Sequence, residues 1–276
     1  MPAVSPDLAP NCLALYLGCR GVEKPGTVWC EPFIEDPDDL DLRYDPENFY
    51  WTFTLKLAKR QLQIGRGKFL VAFPDLIEGL DTLAAMRGTK NLLLDLNRHP
   101  DWVHAALRRI TDLYFHYYDV LYGPIRDEVG GSILWAWAPG RRAKFQCDFS
   151  TMISPRMFEE FMLLTLTEMC ERVSYCMYHW DGPRALVHHD LLLSLPDLKM
   201  IQWTPNVGVE PPWHRRWWPI YHKTVEAGMK LYIGCDSIES LRALKLEFGD
   251  ELKQFMISMN ASSLKEAKQI LELVTD

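Results

Sequence analysis

The chain has 276 residues, with 37 acidic against 30 basic side chains and a formal net charge of −7. Its length suits one α/β barrel or two small domains, and 48% apolar residues are enough for a full core, which excludes a disordered chain. The acidic balance excludes a nucleic-acid backbone binder, Arg141-Arg142 and His214-Arg215-Arg216 reading as short solvated groups, and no run approaches the roughly 18 apolar residues of a membrane span.

Seven cysteines without a CxxC pair, and an amino terminus lacking the basic and apolar regions of a signal peptide, predict reduced thiols and a cytoplasmic protein. Residues 1–48 read as an irregular, acidic, proline-punctuated segment of the same domain as residues 49–276, with 27–34 as a possible edge strand. A helix is expected over 49–64, stopped by Gly65 and Gly67, followed by a buried strand over 68–73 that ends at Pro74. Helical patterns cover 76–86 and 91–96. A long one runs from Pro100 to about Tyr122, where Val103, Leu107, Ile110, Tyr114 and Tyr117 recur at three and four.

Strands are then expected over 131–137 and 143–147. Ser154 and Pro155 form a strong helix start, and that helix is read to about Val173. Strand–helix units follow with strands at 174–180, 199–204, 230–234 and 254–259, and a terminal helix after Ser262 and Ser263. Such alternation predicts a parallel sheet, and its short, closely spaced strands favour a (β/α)8 TIM-type barrel over a doubly wound sheet, for which no glycine-rich phosphate loop is found. Only seven strands are counted, so the first of the eight is expected to be missing, with closure by 27–34 or homodimerisation covering the free edge.

In a parallel barrel the functional groups collect beyond the carboxyl ends of the strands. Those ends carry Asp75 and Glu78, residues 146–148, His179 and Asp181, Gln202, Asn206, Cys235, Asp236 and Asn260. In Tyr178-His179-Trp180-Asp181-Gly182 the imidazole and the carboxylate are two apart, so on a strand both face one side. Three readings stay open: two ligands of a divalent metal, an acid–base pair, or a rim histidine bonded to its neighbour. His188-His189-Asp190 reads as a solvated turn. Trp213, Trp217 and Trp218, with His214 and His222, read as a lid or as helix packing, and Cys147 and Cys235 as thiols at strand ends.

Several stretches resemble the uroporphyrinogen decarboxylase superfamily: PDLIEGLD at 74–81, LAAMRG at 83–88, QCDFS at 146–150, ISPRMFEEF at 153–161, YHWDGP at 178–183 and IQWTP at 201–205. The resemblance spans residues 11–274 and implies a (β/α)8 barrel with a small-molecule pocket at the carboxyl ends. It implies two chemistries, zinc-dependent methyl transfer between a corrinoid and a thiol, and cofactor-free decarboxylation of a tetrapyrrole. In the methyltransferases a His-x-Cys-Gly strand end and a cysteine near the last strand hold zinc. Here His179 and Gly182 match, but Asp181 stands for the first cysteine and Asn260 for the second. A His/Asp/Asn set is harder than a thiolate set and accepts divalent ions other than zinc; Cys235 on the adjacent strand is the one sulfur that would soften it.

These considerations assign His179, Asp181 and Asp148 as catalytic, and Asp75, Glu78, Arg141, Trp180, Gln202, Trp203 and Asn206 as substrate-binding. His179, Asp181, Asn260 and Cys235 are assigned as metal ligands. The expected activity is metal-assisted methyl transfer with a corrinoid, or its carrier protein, as partner. The alternatives are a decarboxylase using Arg141, Arg142 and Arg184, and a shortened ligand-binding paralogue.

Overall fold

The computed structural model describes residues 2–8, 10–37 and 41–275, so part of the segment assigned to 1–48 lies outside the described residues. The strands are β1 (Ala3–Val4), β2 (Arg20–Lys24), β3 (Thr27–Glu31), β4 (Leu70–Val71), β5 (Ser132–Leu134), β6 (Ala136–Ala138), β7 (Arg142–Gln146), β8 (Tyr175–Asp181), β9 (Leu198–Thr204), β10 (Lys230–Gly234) and β11 (Phe255–Ser258). The last five form one parallel sheet in the order β7-β8-β9-β10-β11. Each strand lies beside its sequence neighbour, without the reversal that marks a doubly wound sheet.

The missing first strand is a correction. β1 pairs in parallel with β4, Ala3 opposite Leu70 and Val4 opposite Val71, and Ser5 Oγ extends the pairing by donating to the Phe73 carbonyl. The Phe73 amide donates to the Ile133 carbonyl, linking β4 to β5. β5 joins β7 through Ser132 Oγ, which donates to Gly140 and accepts from the Arg142 amide. Residues 27–34 close nothing: Thr27–Glu31 folds back on Arg20–Lys24 as an antiparallel hairpin. The strand expected over 131–137 is likewise two, because Trp135 adopts φ 60° and turns β5 into β6.

The helices are α1 (Cys12–Tyr16), α2 (Phe49–Gly65), α3 (Gly79–Arg87), α4 (Thr89–Arg98), α5 (Pro100–Ile125), α6 (Pro155–Phe158), α7 (Leu164–Glu171), α8 (His189–Leu193), α9 (Trp218–Glu226), α10 (Ile238–Phe248) and α11 (Leu264–Thr275). Side-chain oxygens of Asn11, Asn48, Ser154 and Ser237 accept from backbone amides in the first turns of α1, α2, α6 and α10. α6 runs into α7 through one π-helical turn, Glu159–Leu163. All five residues of α1 are buried, which shows why the proline-rich start is less irregular than its composition.

Alternation along β8 and β9 divides the core. Phe145, Tyr178, Trp180 and Trp203 point to the helices: Phe145 meets Tyr114, Trp180 stacks on His189, and Trp203 packs edge-on to Trp217. The opposite face of β7 to β9 carries Lys144, Gln146, His179 and Gln202, with His179 in register with both glutamines. That polar face positions the candidate site. Among the described residues, no helix is long and apolar enough to cross a membrane.

Candidate metal and active site

β7 reads Arg142, Lys144, Gln146 and then Asp148 on one face, alternating with Ala143, Phe145 and Cys147 on the other. A strand with one wholly polar face buried in a sheet core requires internal partners. Lys144, whose side chain is 0% exposed, pairs with Asp75 at 2.6 Å. Its ammonium lies 4.7 Å from the centre of the Trp135 ring and donates to Gln146 Oε1. With its oxygen thus engaged, Gln146 turns its amide nitrogen to Asp81 Oδ2 (3.3 Å) and Asp148 Oδ2 (3.2 Å).

Asp81, at the start of α3, caps the turn after β7 by accepting from the amides of Asp148 and Phe149, both at 2.8 Å. Glu78 is fully buried and accepts from the Gln146 amide at 2.6 Å, while its other oxygen has no partner among the described residues. Burial pushes the Glu78 carboxyl well above the usual carboxylate range, against the Gln146 amide and the Lys144 charge, which favour its ionised form. Desolvation raises Asp81 too, against the two amides that stabilise its charge.

Asp148, His179 and Asp181 bring one ligand atom each to within 4.8 Å of one another. Asp148 is exposed at the mouth of the cluster, and its Oδ2 accepts from the Gln146 amide nitrogen. Desolvation first, then the charges of Asp81 and Asp181, push its carboxyl up to about 7. His179 Nδ1 meets Gln202 Oε1. The Gln202 nitrogen donates to Thr204 Oγ1 (2.7 Å) and to the Trp203 carbonyl (3.2 Å), so its oxygen is the atom facing the ring. Nδ1 therefore carries the proton and Nε2 keeps its lone pair. Burial, and then the nearby Lys144 charge, lower the His179 pKa, which keeps the ring neutral. The Trp135 ring meets His179 edge-on at 5.1 Å.

A cleft of about 600 Å³ between the β2–β3 hairpin, α3 and the turn after β7 reaches the cluster at Asp148, lined also by Trp29, Ile77, Asp81, Gln146 and Met152 among others. Ile77 holds φ 52°, a strained conformation for a β-branched residue, and Gly79 follows at φ 58°. Gly182, at φ 82°, ends β8; a Cβ there would lie 2.9 Å from Asn206 Oδ1.

Of the sequence candidates, Asp75, Glu78, Asp148, His179, Asp181 and Gln202 gather at this end of the strands, and Asn206 packs beside Gly182. Arg141 does not join them. It precedes β7 at the opposite end, paired with Asp119 at 2.6 Å and stacked over Tyr118 and Tyr122. Trp180 and Trp203 belong to the helix layer, because odd and even positions of a strand face opposite sides. The candidate metal group consists of Asp148, His179 and Asp181 and lacks Cys235, whose buried thiol is pushed up to about 11 and whose amide donates to the Ser258 carbonyl; Asn260 lies exposed beyond β11.

His188 and His189, read as a solvated turn, are both buried: His188 Nε2 donates to the Ser150 carbonyl, and His189 Nε2 donates to Thr224 Oγ1, whose own hydroxyl donates to Ile220. Trp217 is buried packing. Lys144, Trp135 and Asp81 were not singled out by the sequence. The period-two polar pattern of 142–148 was the available signal for Lys144; Asp81 stood only as the last residue of the PDLIEGLD stretch, and Trp135 carried none.

No family model matches the chain, and no curated protein matches it. Among solved structures, a methyltransferase from Methanosarcina mazei superposes with a TM-score of 0.61, covering 99% of this chain and 79% of that one at 12% identity. The two share a fold. That likeness agrees with the consecutive parallel strands.

Proposed function

We propose that this protein is a metal-assisted methyltransferase on a closed (β/α)8 barrel, moving a methyl group between a corrinoid or methylated small molecule and an acceptor. The observation that carries the reading is the convergence of Asp148, His179 and Asp181, with donor atoms within 4.8 Å, at the carboxyl ends of parallel strands. Three carboxylates crowd there, Asp81, Asp148 and Asp181, and their mutual repulsion is what a divalent cation relieves. The fold shared with a methyltransferase supports the class.

The donor set of two carboxylates and one imidazole fits a divalent ion of intermediate hardness as well as zinc. Bound there, the ion would supply Lewis acidity, lowering the pKa of a coordinated thiol or water. Gln202 holds His179 Nε2 toward the cluster, Gln146 and Lys144 fix Asp148, and the hairpin β2–β3 walls the cleft against water. A polycarboxylate substrate for decarboxylation is disfavoured by this acidic lining, since of the three candidate arginines Arg141 and Arg142 stand at the other end of β7 and Arg184 alone follows β8 at this end.

The test is metal analysis after dialysis of the purified chain against zinc, cobalt and manganese in turn. One ion per chain in the wild type, lost in His179→Ala combined with Asp181→Asn, is expected. An unchanged metal content in the double variant defeats the reading.

A further inference from the structure

At the amino ends of the strands, opposite the candidate metal site, lies a second cavity of about 580 Å³ between β7 to β10 and their loops. Its size is that of a small-molecule pocket. The walls are largely apolar, with Leu195, Met200 and Met229 inside and Trp137, 48% exposed, at the mouth. In a chain whose acidic residues outnumber the basic ones, this lining holds no Asp or Glu but three cations: Arg142, Lys199 and Lys230.

Arg142 is the unusual member. It is only 4% exposed and forms no ion pair among the described residues. Its Nε donates to the Leu134 carbonyl at 3.2 Å, and one terminal nitrogen leans on the Met177 sulfur at 3.5 Å. The other terminal nitrogen makes no hydrogen bond among the described residues. A guanidinium keeps its charge in proteins, and a buried charge without a counter-charge is costly. Burial lowers its pKa with no carboxylate to oppose the effect. Lys199 is answered by Asp197 at 3.1 Å, whereas Lys230 at the mouth has no acidic partner among the described residues.

We infer that this cavity is a second binding site, for a small carboxylate with a flat apolar body, its carboxylate bridging the free edge of Arg142 and its body lying among Leu195, Met200 and Trp137. The planar fork of the guanidinium matches a carboxylate with two parallel hydrogen bonds. The Lys230 ammonium draws the anion to the mouth, and the apolar walls reject small inorganic anions.

Titration calorimetry with cinnamate and its neutral amide, cinnamamide, tests the site on the whole chain. Cinnamate is expected to bind the wild type at least about 30-fold more tightly than cinnamamide, and Arg142→Met to remove that preference. Because Arg142 is buried and its loss can impair folding, Lys230→Glu provides the second variant on an exposed side chain. There cinnamate affinity is expected to fall several-fold while that of cinnamamide stays unchanged. Equal affinity of acid and amide for the wild type, no binding of either, or indifference of cinnamate to Lys230→Glu would overturn the inference. None of these outcomes depends on metal binding at the other end of the strands.

Discussion

Replacing Lys144 with Met separates the stability of the site from its affinity for cations. The ammonium is 0% exposed and the Asp75 carboxylate 15% exposed, at 2.6 Å. Breaking a buried pair by removing one partner costs about 3–5 kcal/mol, because the other charge is left uncompensated. Asp75 keeps some contact with solvent, so the lower end applies, about 3 kcal/mol. For a chain of this size that is a fall in Tm of roughly 6–12 °C. The same substitution removes a positive charge beside His179 and so strengthens the pull of the cluster on a divalent ion. Calorimetric melting at pH 7 and metal titration read the two effects in opposite directions. The double variant Lys144→Met with Asp75→Leu is expected to recover most of the stability, since an apolar pair of similar volume replaces the ion pair. A single variant within about 1 kcal/mol of the wild type, or a double variant less stable than the single, refutes the reasoning.

Asp148 makes metal affinity depend on pH. Its folded-state pKa is raised to about 7, so without metal the folded chain holds a proton there that the unfolded chain has lost above about pH 4. The contribution of Asp148 to folding stability is therefore full below the unfolded value and is lost as pH rises through the folded one, whereas metal affinity rises by up to about tenfold per pH unit until pH 7 and then levels. Titrations between about pH 5 and pH 8 check both signs, and Asp148→Asn should flatten the two profiles. Gln202→Leu frees the His179 tautomer and is expected to weaken metal binding about 10–100-fold with little change in melting, which nitrogen-15 spectra of the ring would confirm as a shift of the proton between Nδ1 and Nε2. Gly182→Val combines a positive φ with a contact to Asn206 and should destabilise by about 1–3 kcal/mol in urea melts.

The parts of the fold that were legible in the sequence are those set by local chemistry. Ser154 caps its helix with Pro155 behind it, and the helix from Pro100 runs its expected length because its apolar stripe has one period throughout. What escaped depended on partners far along the chain. A two-residue strand such as Ala3–Val4 has no periodicity and exists only because Leu70–Val71 accepts it. Trp135 breaks a continuous apolar run by a backbone angle that no neighbouring residue type demands. At the site, the spacing of His179 and Asp181 was informative because strand geometry fixes which side chains share a face. Trp180 and Trp203 were misplaced by overlooking the same rule, and the third member of the candidate group, Asp148 rather than Cys235, follows a neighbouring strand, which spacing along one strand does not encode.

The cleft and the ligand cluster are drawn from different stretches of chain. The residues lining the cleft all fall between Pro10 and Met152, while two of the three candidate ligands sit on β8 beyond it. The β2–β3 hairpin is anchored at Gly21, whose amide donates to the Tyr50 hydroxyl, and a side chain added at its tip, Gly26, would meet no close neighbour. Asp148 is the one residue common to both. Under the proposed function, a randomised library confined to the hairpin would reshape the wall of the cleft while leaving Asp148, His179 and Asp181 in place.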